Sequence, residues 1–190
     1  MGVNFVQMVP ILPRDTPDPL TVPNLQRIQQ CQGFWCWAAC TQMVLRQHGD
    51  TTTQQCDMAK FLFNQTKCCE KPASNECNNR CESDDIKKVY NHFGRVCSLP
   101  AKIDGLAGPD LDQFLEAIKV EIRAGRPVEI GYELDKVGSH VVLIAGFVGV
   151  GAGTSFIVLD PLADRGCVAS GGLPTLDGRG NWKLSWTGIQ

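Results

Sequence analysis

Gln30-Cys31-Gln32-Gly33-Phe34-Trp35-Cys36-Trp37-Ala38-Ala39-Cys40 is the stretch on which the reading of this 190-residue chain turns. It is polar up to Gly33 and apolar from Phe34. Trp37, Cys40, Met43 and Val44 then recur at helical spacing until Gly49 supplies a stop. A helix is therefore predicted over Phe34–His48, with Cys36 near its start. Backbone N–H groups without intrahelical partners, and the positive end of the helix dipole, favour a thiolate at such a position. The thiolate is the reactive form, and an unperturbed cysteine has a pKa of roughly 8.5, so help of this kind is needed at neutral pH. A half-cystine or a core thiol is the plainer reading of any one cysteine among ten.

Upstream, residues 1–29 carry Pro10, Pro13, Pro17, Pro19 and Pro23, which reads as an extended arm wrapped on the body. Downstream, Met58, Ala59, Leu62 and Phe63 mark a second helix from about Thr53 to Phe63. Residues 64–82 follow as a polar, cysteine-rich insertion. A third helix is predicted over Ser83–Phe93, with Ser83 as N-cap and Gly94 beyond its end. Val96–Pro109 reads as loop with short strand character. A fourth helix over Pro109–Ala124 sets Leu111, Leu115, Ile118 and Ile122 on one stripe, with Gly125 as its stop.

The pattern then changes. Pro127–Glu133, His140–Val148 and Ser155–Leu159 are short, β-branched and glycine-bounded, and Asn181–Gln190 alternates Trp182, Leu184 and Trp186. Helices followed by strands predict an α+β fold. Its helical half spans about 30–125 and its sheet half about 126–190, in a single domain that follows the arm.

Composition narrows the function. Eighteen basic against twenty acidic residues give a net charge of −2, without the basic stripe that nucleic acid asks for. No apolar run reaches the roughly 20 residues of a membrane span. Met1–Pro10 shows neither a basic n-region nor an apolar h-region, so no signal peptide is visible. Ten cysteines sit uneasily in a reducing cytosol. Setting aside Cys36 as a free thiol and Cys40 as a buried helix residue leaves eight, an even number that suits a disulfide framework. Cys68, Cys69, Cys77 and Cys81 lack the C-x₂-C pairs of a zinc knuckle, so disulfides are the better reading and no metal or cofactor is expected. Asn64-Gln65-Thr66 is a glycosylation sequon that has meaning only in a eukaryotic secretory route.

Cys36-Trp37-Ala38 with a preceding glutamine resembles the nucleophile segment of papain-like cysteine proteases. The wider order, WCWAAC, QCDMAKFLF, CC, GRPVEI, GSHVVLIAGF and VLDP, spans about Gln30 to Pro161. It resembles the short bacterial proteases of this kind, including avirulence effectors delivered into plant cells, and more distantly the leader-peptide peptidases fused to bacteriocin exporters. The resemblance implies a papain-like fold with the nucleophile helix packed on an antiparallel sheet. It also implies a glutamine six residues before the nucleophile in the oxyanion hole, the place of Gln30, with Gln32 as the alternative. A monomeric enzyme acting on a protein or peptide, secreted or delivered by a secretion system, is the corresponding expectation, with no nucleic acid or membrane partner.

Of three histidines, His48 lies twelve residues from Cys36 on the same predicted helix, about 18 Å away. It and His92 both read as helix C-terminal residues. His140 opens an apolar strand beside small residues, where a papain-like site places its base. Asp160 ends the next strand, twenty residues on, and antiparallel pairing would bring it to His140 to orient the ring. Asp135 and Asp164 are the alternatives, and Asp160 reads otherwise as a turn residue before Pro161. Trp35 and Trp37 flank the nucleophile and, with Ser139, are expected on the substrate side, although packing under the helix would equally explain the two indoles. Two other classes compete. A papain-fold deamidase or transglutaminase-like toxin would use the same three residues, whereas a disulfide-stapled binding module would have Cys36 bridged.

Overall fold

The structure is a computed structural model and describes residues 19–134, 138–149, 154–162, 167–170 and 180–190. The first eighteen residues of the proline-rich arm, and Asp135 and Asp164, lie outside them.

Among the described residues, four helices are found where the periodicity puts them: α1 over Cys36–Gln47, α2 over Gln55–Phe63, α3 over Ser83–His92 and α4 over Gly108–Arg123. The ends follow local chemistry. At the start of α2 the Gln54 N–H donates to Asp57 Oδ2 at 3.0 Å, and Asn64 closes the helix with φ of 51°. Glu82, one residue before Ser83, is the N-cap of α3, and Asp84 and Asp85 occupy its first turn, where carboxylates complement the dipole. Pro109 is the second residue of α4, in its first turn, and Gly125 follows its end at φ of 75°.

The strands are β1 (Leu20–Thr21), β2 (Ala101–Lys102), β3 (Val128–Leu134), β4 (Gly138–Val148), β5 (Ser155–Leu159), β6 (Cys167–Ser170) and β7 (Asn181–Trp186). They form one antiparallel sheet in the order β2-β7-β3-β4-β5-β6, with β1 added to β4. On β4, Gly146 and Phe147 pair with β5 on one edge and with β1 on the other, beyond the end of β3 at Ile144. The arm can approach there because Gly146 has no Cβ; one would lie 2.5 Å from the Leu20 carbonyl oxygen.

The sheet is covered on both faces, as its nearly continuous apolar strands require. Val141, Leu143 and Ala145 of β4 pack with α1, α2 and α3. Val142 and Ile144, one residue out of phase, pack with Ile118 and Ile122 of α4 and with Val22 of the arm. Helix α1 is buried from Cys36 to Leu45, so it is a central helix gripped on every side. That burial fixes Cys36 at its first turn.

The insertion, residues 64–82, is turns and bends throughout, without helix or strand. Two disulfides staple it, Cys56–Cys69 and Cys68–Cys77. The eight-cysteine framework is therefore corrected. Cys31, Cys81 and Cys97 are free along with Cys36 and Cys40, and the side chain of Cys167 is outside the described residues. Vicinal Cys68 and Cys69 point to different partners: Cys69 ties the insertion to α2 through Cys56, and Cys68 closes the insertion on itself through Cys77.

Candidate active site

The nucleophile candidate, Cys36, is the first residue of α1, 8% exposed and unbridged. A binding module would have that sulfur crosslinked. The segment before it is held from two directions. Buried Gln55 of α2 accepts from the Cys31 N–H at 2.8 Å and donates to the Gln29 carbonyl at 2.9 Å. On the other side the Gln30 N–H donates to the Pro161 carbonyl at 2.9 Å, and Arg27 Nε donates to the Asp160 carbonyl at 2.6 Å. Arg27 Nη2 reaches the Leu162 carbonyl as well. The arm thus laces the start of the nucleophile segment to the loop after β5.

That loop carries Asp160. Leu143 of β4 faces Leu159 of β5, so the residue after Leu159 lies near the start of β4, where His140 stands. His140 Nε2 donates to Asp160 Oδ1 at 2.8 Å, and both residues are buried. The same oxygen accepts from the Leu162 N–H at 2.9 Å, which locks the carboxylate orientation. With Nε2 engaged by Asp160, Nδ1 is the ring nitrogen left for Cys36, which lines the same cleft as His140. Burial pulls the pKa of His140 down. The hydrogen bond with Asp160 and the bond and charge of Cys36 outweigh it, and the value rises to about 9. The direction of that shift favours the protonated ring on the cleft that it shares with Cys36.

Cys36, Trp37, His140 and Ser139 line one cleft of about 320 Å³. Its other walls include Phe34, Arg80, Cys81, Tyr132, Leu184 and Trp186, so it is apolar with charged groups at intervals. Trp35 is not on that wall. It is 1% exposed, and its indole N–H donates to the Cys77 carbonyl at 2.8 Å, so of the two indoles only Trp37 faces the cleft. Gln30 is on the strapped segment, but its amide donates to the carbonyls of Gln32 at 2.8 Å and Gly33 at 2.9 Å. The Gln32 carbonyl also accepts from the Trp35 N–H at 3.2 Å, which places Gln32 in the turn that launches α1.

His48 caps the far end of α1, and His92 stacks on Phe61 with ring centroids 3.7 Å apart; neither lines the cleft. Cys40, one turn along from Cys36, is fully buried. Burial first, then the charges of Glu129, Cys36 and Asp160, push its thiol well up and keep it inert. For a metal, one group among the described residues brings three ligand atoms within 4.8 Å of one another: Cys56, Asp57 and Cys69. Its two sulfurs are bonded to each other, which leaves a single carboxylate.

Arg27, Gln55 and the residues of the insertion that touch Phe34, Trp35 and Trp37 had no local signal. Each acts through backbone carbonyls or N–H groups far away in the chain, and such contacts leave no periodicity to read.

The profile of the Peptidase_C39-like family matches residues 19–176. No curated protein matches the chain in sequence. Among solved structures, the chain is similar to the peptidase domain of Streptococcus ComA, a bi-functional ABC transporter involved in a quorum-sensing pathway. The identity is 12% and the TM-score 0.55, covering 86% of this chain and 98% of that one. It is also similar to a double-glycine-motif protease from an AMS/PCAT transporter in complex with its leader peptide. There the identity is 16% and the TM-score 0.47, over 89% and 96% of the two chains. With the α+β architecture in place and the family profile spanning most of its length, the chain belongs to the Peptidase_C39-like family and is a papain-like cysteine protease.

Proposed function

We propose that the protein is a cysteine endopeptidase that cleaves peptide bonds with Cys36 as nucleophile, His140 as acid and base, and Asp160 as the group that orients the ring. The observation that carries this reading is the buried His140 ring hydrogen-bonded to Asp160 Oδ1 at 2.8 Å on the same cleft as the unbridged Cys36. In this scheme the sulfur attacks the scissile carbonyl, and His140 Nδ1 gives its proton to the leaving amine. Water, activated by the same nitrogen, then releases the acyl group. The Asp160 charge stabilises the cationic ring throughout.

The negative oxygen that forms on the carbonyl calls for donors. The N–H of Cys36 is one, as a first-turn helix donor without an intrahelical partner. The Gln30 amide is the second, and for that role its donors turn away from the Gln32 and Gly33 carbonyls that now hold them. Its Oε1 is buried without a hydrogen-bond partner among the described residues, so the present seat satisfies only part of the amide. The apolar cleft with charged residues at intervals fits an extended peptide better than a compact small molecule. The two disulfides favour an oxidising compartment and so support a secreted or delivered protein.

Digestion of a peptide library by the wild type beside Cys36→Ala tests the reading. Cleavage by the wild type alone is expected, and cleavage by the variant would end it.

A further inference from the structure

The insertion between α2 and α3 does more than border the cleft. Its segment Cys77–Asn79 makes three hydrogen bonds to the residues on either side of the nucleophile. The Phe34 N–H donates to Asn78 Oδ1 at 3.1 Å, the Trp35 indole to the Cys77 carbonyl at 2.8 Å, and the Trp37 indole to the Asn79 carbonyl at 3.3 Å. The next residues continue across the cleft. The Arg80 guanidinium lies 5.3 Å from the centre of the Phe34 ring and packs on Gly138 at the start of β4, two residues before His140. Arg80, Cys81, Glu82 and Ser83 then line the cleft itself.

The segment that makes these bonds has no regular structure to hold it. Short turns order it, such as Cys77 N–H to the Ser74 carbonyl at 3.0 Å and Asn78 N–H to the same carbonyl at 2.8 Å. The Cys68–Cys77 bridge closes the insertion on itself and seats those turns on the body by its burial, while Cys56–Cys69 is the covalent tie to α2. Cys68 and Cys77 are both buried, in the same core cluster as Trp35, Cys36 and Trp37. A polar loop without a core of its own loses little by detaching once its crosslink opens, because ordering it costs conformational entropy.

We propose that the Cys68–Cys77 disulfide is a redox-dependent positioning element for the nucleophile: closed, it clamps Phe34, Trp35 and Trp37 and so fixes Cys36 against His140; open, it releases them. The proposal rests on Cys36 being the nucleophile. It gives the enzyme opposite demands on its sulfurs, a free thiol at position 36 and an intact bridge some forty residues on. Activity is then confined to a window of redox conditions. A small dithiol opens the bridge by attack of one thiolate on one sulfur, which forms a mixed disulfide. Its second thiol closes on the first, leaving Cys68 and Cys77 as thiols and the dithiol as its cyclic disulfide. Two electrons pass from the dithiol to the protein.

The test is a titration of the whole chain with dithiothreitol. Peptide mapping of trapped thiols reports which bridge is open, and kcat, KM and the pH profile of Cys36 alkylation by iodoacetamide are followed alongside. The expected result is a fall in kcat on the order of 10²-fold that tracks opening of Cys68–Cys77, because small misplacements of a reacting group have that effect. The alkylation profile of Cys36 shifts with it, which mere loosening elsewhere would not produce. The Cys56→Ser/Cys69→Ser variant, which lacks only the other bridge, keeps its activity under non-reducing conditions. Full kcat and an unshifted alkylation profile with Cys68–Cys77 open overturn the proposal. If reduction unfolds the chain by far-ultraviolet circular dichroism, the unreduced Asn78→Ala variant decides. A lowered kcat with unchanged KM supports the clamp, and wild-type kinetics overturn it. Activity in Cys36→Ala would instead refute the assignment of the nucleophile and leave the role of the bridge as a separate result.

Discussion

Replacing Asp160 by asparagine removes a charge while preserving the shape of the group, and the structure sets what should follow. The carboxylate oxygen that accepts from His140 Nε2 at 2.8 Å and from the Leu162 N–H at 2.9 Å is retained as an amide oxygen, so the ring keeps its orientation. What changes is the stabilisation of the imidazolium. Burial works against the cation, and the hydrogen bond to Asp160 with the contributions of Cys36 raises the ring from 6.5 to about 9. That rise corresponds to about 3 kcal/mol favouring the charged ring in the folded chain. Because the folded value is the higher one, this contribution is complete below pH 6.5 and disappears as pH rises through about 9. A carboxylate this close accounts for about 1–3 pKa units of such a shift. In Asp160→Asn the alkaline limb of kcat/KM should therefore move down by about 1–2 units, and the stability lost between pH 6.5 and 9 should shrink with it. The assay is the pH dependence of kcat/KM, with nuclear magnetic resonance titration of the His140 ring in the same variant. An alkaline limb and a ring titration that stay where the wild type has them would refute the claim that Asp160 supports the cation.

Other outcomes are equally specific. Glu129 is fully buried in the sheet, with the Tyr90 hydroxyl donating to its Oε2 at 2.7 Å, and burial lifts its pKa to about 8. The unfolded chain ionises this group near 4.5, so folding stability falls as pH rises from there to about 8. Glu129→Gln should remove that slope and stabilise the chain at pH 8 by up to about 5 kcal/mol, with little gain at pH 4.5, as denaturant titrations at the two values would report. Equal changes at both would contradict the burial argument. Arg27→Ala removes both donors that hold the carbonyls of Asp160 and Leu162, and should cost about 1–3 kcal/mol of stability. It should also lower kcat more than it raises KM, with partial recovery in Arg27→Lys. An unaltered kcat would show that the loop holds Asp160 without the arm.

Local chemistry announces the elements on which the site is built. Residue 36 at a helix start, residue 140 at a strand mouth and residue 160 at a strand end each follow from a change of periodicity within a few residues. The long apolar run of β4 and the five residues of β5 were equally plain, because buried strands leave unbroken hydrophobic segments. What escapes such reading depends on distant backbone. The pairing of Leu20 and Thr21 with β4 exists because Gly146 leaves room for it, and neither segment signals the other. The four residues of β6 are too few for alternation to stand out. Trp35 and Trp37 look equivalent by composition. The former is drawn into the core by the Cys77 carbonyl, which only the folded insertion supplies. An even number of cysteines suggested full pairing, yet Cys31, Cys81 and Cys97 remain free, since a bridge needs two Cβ atoms within a few ångströms and parity says nothing about distance. The Gln30 amide likewise sits at the family spacing but spends its donors on its own turn.

The most direct measurement is acid quenching of the enzyme during turnover of an activated peptide ester, followed by mass mapping of the protein. The account predicts the peptide's acyl group as a thioester on the peptide that carries Cys36, and no acylation when His140 is alanine. Acyl transfer to another cysteine, or turnover without any protein-bound acyl group, would contradict it.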